Sequence, residues 1–139
     1  MKIITTIILC SVVMYYVIAQ PKFKPITTTA SWYGGKTDGL VGKLTASGEP
    51  LDDKAMTCAM PAGIPLGTKV RVTLGNKYVI CRVNDRGPCQ RRHPDRQIDL
   101  TKAAFSKLAH PDAGLLKGVK VEIISIPKSK RRRSTKGSG

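Results

Sequence analysis

The feature that most constrains this chain is an apolar period of two. Val70 and Val72 alternate with Lys69 and Arg71, and Val79, Cys81 and Val83 share a face opposite Tyr78, Ile80 and Arg82. Successive side chains of a strand point to opposite faces, so each run predicts a strand with one buried and one solvated face. Between them Leu74, Gly75 and Asn76 supply a residue that tolerates positive φ and a side chain that satisfies turn backbone groups, which predicts a hairpin. Residues 119–126 set Val119, Val121 and Ile123 against Lys120 and Glu122 before turning apolar on both sides, the pattern of a closing strand. One helix is expected over residues 101–110, where Ala104 and Leu108 stand four apart and Phe105 widens the apolar stripe. Thr101 or Asp99 is available as its N-cap, and Pro111 stops it.

At 139 residues the chain has room for one small core with short extensions. Lys2 precedes an almost uncharged run over residues 3–19 that reads as the apolar region of a signal peptide, with Val17 and Ala19 placed for cleavage before Gln20. An uncleaved anchor is the alternative, the run being slightly short of the ~20 residues that span a bilayer comfortably. Residues 20–27, with two prolines and two lysines, read as an extended lead-in to a domain over 28–127. Residues 128–139 hold six basic residues and neither an acidic nor a large apolar one, the composition of a disordered tail.

The charge balance is 24 basic against 9 acidic residues, or +15 at pH 7. Lys2 and the six basic tail residues account for seven of the 24, so residues 20–127 still carry +8. Such a charge favours a polyanionic partner, whether a cell-wall polymer, an anionic membrane or nucleic acid. The presequence and the lack of a base-reading module weigh against nucleic acid. There is no P-loop, dinucleotide-binding glycine fingerprint or zincin helix. With only His93 and His110, far apart and His93 within a basic loop, no metal site and no cofactor are expected.

The ordered residues carry a series of blocks: Ala30-Ser31-Trp32-Tyr33-Gly34, Thr45-Ala46-Ser47-Gly48-Glu49, Met56-Thr57-Cys58-Ala59 and Pro65-Leu66-Gly67-Thr68. Val83-Asn84-Asp85-Arg86-Gly87-Pro88 and Ile98-Asp99-Leu100-Thr101 follow. In this order, over about residues 30–124, the series resembles the RlpA-like family. The resemblance implies a mainly β fold, a six-stranded double-psi β-barrel with one or more short helices, exported to the cell envelope. Studied bacterial members of that family include lytic transglycosylases, which cut the bond between N-acetylmuramic acid and N-acetylglucosamine and leave a 1,6-anhydro end. More distant relatives are expansin-like proteins that loosen wall polymers.

Asp85 is the expected catalytic residue, since an acid at a strand end before Arg86-Gly87-Pro88 sits where a ligand can approach; a turn-capping aspartate is the alternative. One carboxyl group can protonate the glycosidic oxygen and then accept the proton of the attacking hydroxyl. For the first step it must arrive protonated, which burial or a neighbouring carboxylate promotes. Glu49 and Asp99 match acidic positions of the family and are expected to line the groove, tune Asp85 or bind sugar hydroxyls, while Asn84 and Arg86 flank the acid. Trp32 and Tyr33 fit either the core or the wall of a sugar groove. Met60 departs from the family, which commonly places a histidine there, and leaves two functions open: a peptidoglycan lytic transglycosylase, or a non-catalytic binder of wall polysaccharide. A monomer is expected, whose partner is peptidoglycan glycan or another anionic wall polymer. Export permits a disulfide, assigned to Cys58 and Cys81, with Cys89 left over.

Overall fold

The computed structural model describes residues 23–128. The expected presequence, the start of the lead-in and the tail beyond Lys128 lie outside the described residues. Six strands carry the period-two signal: β1 (Ile26–Tyr33), β2 (Thr57–Met60), β3 (Lys69–Leu74), β4 (Lys77–Arg86), β5 (Arg96–Thr101) and β6 (Leu115–Ser125). A short helix, α1 (Lys102–Ser106), and a 3-10 turn (Pro111–Ala113) connect β5 to β6.

The strands close into a barrel in the order β1-β5-β2-β4-β3-β6. Closure leaves no unpaired edge to template another chain. The β1–β5 and β2–β4 pairs are parallel and the other four antiparallel, the topology of a double-psi barrel. Parallel neighbours need long connections. Residues distant in sequence therefore meet side by side. The alternating faces fill the interior: Val70, Val72, Cys81 and Val83 are at most 1% exposed, packed with Ile98 and Leu100.

Leu74 pairs with Lys77, so the hairpin closes through Gly75 and Asn76 alone. Gly75 takes φ +60° and Asn76 does not enter positive φ, the geometry of a II′ turn, whose twist matches the strands. β6 begins at Leu115, four residues before the alternation at Val119. Thr28 faces Val119 and Ala30 faces Leu116, so three steps on β6 oppose two on β1, and Gly118 absorbs the bulge at φ +71°. That bulge sets the buried Leu116 and Val119 three apart and hides the strand's start from a period-two reading.

The helix is shorter than its apolar stripe. Ala104, Phe105 and Leu108 are all buried, but the amides of Lys107 and Leu108 turn to carbonyls three residues back, at 3.2 and 2.9 Å, and tighten the chain after Ser106. Its N-cap is Thr101, whose Oγ1 accepts from the Ala104 amide at 3.4 Å and donates to the Ala55 carbonyl at 2.6 Å. Asp99 is thereby released for other work.

Candidate functional site

Four adjacent strands set Ser31, Asp99, Ala59 and Asp85 in one lateral row across β1, β5, β2 and β4. Laterally paired residues share a face of the sheet, and two strand spacings separate the Asp99 and Asp85 backbones by about 10 Å. In that row the methyl group of Ala59 stands between them. A bulge makes the row possible: Cys58 pairs with Val83, and Ala59 with Asp85, leaving Asn84 as the extra residue. Strict alternation would turn Asp85 to the core beside Val83; the bulge re-aims it to the face of Ala59.

A loop from residue 45 to 49 holds Asp85. Asp85 Oδ1 accepts from the amides of Ala46 at 3.0 Å and Arg86 at 2.8 Å. Among the described residues Oδ2 has no hydrogen-bond partner. The loop is tied down beside it, because the Ser47 amide donates to the Asn84 carbonyl at 2.9 Å and Arg82 forks onto the Glu49 carboxylate, with Nη2 to Oε2 at 3.0 Å. The Arg82 guanidinium holds the Glu49 carboxyl below its ordinary range, with help from a 3.1 Å bond donated by Ser47. Glu49 thus anchors the loop and does not line the cleft. Asn84, 2% exposed, lies against the same carboxylate.

Asp99, half-buried like Asp85, accepts a hydrogen bond from Ser31 Oγ. Burial pushes its carboxyl above the usual range, opposed by the Ser31 bond and by the charges of Arg96 and His93. Gly87 closes over it: a Cβ there would lie 3.5 Å from Asp99 Oδ2, and φ +145° is a conformation that side chains rarely adopt. Tyr33 and Asp85 line one cleft of about 260 Å³, walled also by Lys43, Leu44, Thr45 and Leu51. The Tyr33 hydroxyl is buried without a partner among the described residues. Burial first, then the nearby Asp85 charge, pushes its ionisation far up.

The remaining sequence candidates go elsewhere. Trp32 packs on Phe105 with ring centroids 6.4 Å apart, and its Nε1 donates to the Pro111 carbonyl at 2.9 Å, so of the two aromatic residues only Tyr33 belongs to the cleft. Arg86 points away from the acid, donating from Nη1 to the carbonyl of Ile64 at 2.6 Å, and clamps the connection after β2. Met60 is 2% exposed in the core, on the face of β2 opposite Ala59, so the structure does not bring it to the two carboxylates. His93 is exposed and reaches Asp99 only through its charge, and His110 caps the 3-10 turn. Cys58 and Cys81 are buried neighbours and free thiols with no bond between the sulfurs, so the expected disulfide is not present; Cys89 is exposed. Sequence reasoning passed over Ser31, although its alternation with Ala30 and Trp32 sets it on the same face as Tyr33.

A family model described as lytic transglycolase matches residues 26–121. The endolytic peptidoglycan transglycosylase RlpA of Pseudomonas aeruginosa is 46% identical over 110 residues, covering 78% of this chain and 30% of that protein. The protein of the same name from Rickettsia prowazekii is 41% identical over 106 residues, covering 75% of this chain and 32% of its own length. The chain therefore spans about a third of these relatives. Among solved structures, the Streptomyces papain inhibitor superimposes with a TM-score of 0.60 at 25% identity, over 76% of this chain and 100% of the inhibitor. The expansin of Clavibacter michiganensis gives a TM-score of 0.56 at 20% identity, over 75% of this chain and 52% of the expansin, and shows the shared barrel fold.

Proposed function

The chain belongs to the RlpA-like lytic transglycolase family of double-psi β-barrels, and from that membership we propose that it remodels peptidoglycan, with Asp85 as the proton-transfer residue of a lytic transglycosylase. The observation that carries this reading is the bulge at Asn84, which turns an otherwise core-facing acid into a cleft, where two amides fix one carboxylate oxygen and the other stays open. Asp85 gives its proton to the oxygen linking N-acetylmuramic acid to N-acetylglucosamine as the C1–O bond breaks. The resulting carboxylate then takes the proton of the muramyl 6-hydroxyl while its oxygen bonds to C1 and closes the 1,6-anhydro ring. Asp99, with a carboxyl pushed up by burial, is the supporting acid. The barrel works as an exported monomer, and its basic tail adds non-specific attraction for anionic wall polymer.

One observation favours a second reading, a non-catalytic binding protein: the same barrel, at 25% identity, is that of a Streptomyces papain inhibitor. Incubation with purified sacculi tests both. Release of muropeptides with 1,6-anhydro ends is the expected result; pelleting with sacculi without such ends would support the binder.

A further inference from the structure

The cleft holds two unpaired groups of opposite kind. Tyr33 presents a buried hydroxyl with no acceptor, and Asp85 presents Oδ2 with no donor among the described residues. Few buried hydroxyls stay unpaired, so a buried orphan donor lining the same cleft as an open carboxylate oxygen points to a contact made in another state of the site. Asn84 Oδ1, on the residue before Asp85, is also buried without a partner among the described residues, but it carries no charge to attract the phenol proton. Asp99, the second carboxylate near the phenol, already accepts from Ser31 and feels the charges of Arg96 and His93. The buried free thiols of Cys58 and Cys81 also lie within electrostatic reach of the phenol. Lys43 is the cationic group on the cleft wall.

We propose that Tyr33 is a positioning residue for Asp85, its hydroxyl turning to donate to Oδ2 once that oxygen has lost its proton. This rests on the proton-transfer reading of Asp85 and adds a role for the phenol. The phenol keeps its own proton throughout, so no group is transferred to it. By stabilising the carboxylate form it holds Asp85 in place as the base of the second step.

The test follows the Asp85 side-chain carboxyl carbon by NMR through a pH titration of the full chain, in wild type and in Tyr33→Phe. Loss of a hydrogen bond to the charged form should raise the titration midpoint by about one pH unit. The reciprocal signal is the Tyr33 Cζ resonance, which should follow the protonation of Asp85 in the wild type and lose that step in Asp85→Asn. An unmoved midpoint in folded Tyr33→Phe, or a Tyr33 resonance indifferent to Asp85, would overturn the assignment. Neither signal requires turnover, so a shifted midpoint in a protein that releases no anhydro ends would uphold the contact and discard the proton-transfer reading instead.

Discussion

Asp99 carries an electrostatic cost in the folded protein. Burial raises its carboxyl above the unfolded value of about 3.9, so the associated stability is fully present below that pH and is lost as the pH rises through the folded value. An asparagine keeps an oxygen for Ser31 and has no charge to desolvate. Asp99→Asn should therefore resist urea better than the wild type at pH 7, with the difference vanishing below about pH 3, where both side chains are neutral. Paired urea melts across pH check this, and equal midpoints at pH 7 would contradict it. Met60 raises the opposite issue. The family resemblance implies a histidine at this position, but β2 turns residue 60 into the core. Met60→His should cost about 2–3 kcal/mol by burying a polar ring among apolar groups, without increasing anhydro-end release. A gain in rate would show that β2 rearranges in the working enzyme.

At the scale of elements, the legible parts are those where local chemistry and tertiary packing agree. The β3–β4 hairpin could be read because both strands bury one face and Gly75-Asn76 supplies the turn. Two bulges broke that agreement: Gly118 hid the start of β6, and Asn84 hid which way Asp85 faces. A bulge is a misregister between two strands, so it is invisible until the partner strand is known. The helix was overextended because an apolar stripe reports burial, and Leu108 is buried from a turn as well as it would be from a helix. The Cys58–Cys81 disulfide expected from the sequence is not formed in the structure, where both residues are buried free thiols. Oxidised glutathione should join the two thiols, releasing two equivalents of reduced glutathione and tying β2 to β4 with a gain of typically ~2–4 kcal/mol. Peptide mapping of the oxidised protein should find Cys58 linked to Cys81 and Cys89 free to alkylation; a link to Cys89 would contradict the assignment.

At the scale of the whole molecule, the closed barrel converts scattered sequence blocks into one site. Ser31, Ala59, Asp85 and Asp99 come from four separate blocks, and only the two parallel strand pairs and the β2–β5 contact bring them abreast. The family resemblance identified three of the blocks as functional but held no information on their lateral order, which is why Glu49, Arg86 and Met60 were grouped with Asp85 and Ser31 was not. The fold alone does not choose between cleavage and binding, since barrels of this shape also occur in a papain inhibitor and an expansin. The test of that choice lies at the Asp85 carboxylate. Asp85→Asn removes acid–base capacity while preserving shape and both amide contacts to Oδ1, so it changes activity far more than stability. The most direct measurement is the yield of 1,6-anhydro muropeptides from sacculi treated with equal amounts of folded wild type and folded Asp85→Asn. The wild type should release them and the variant should release none above background; equal yields from both would contradict the central claim.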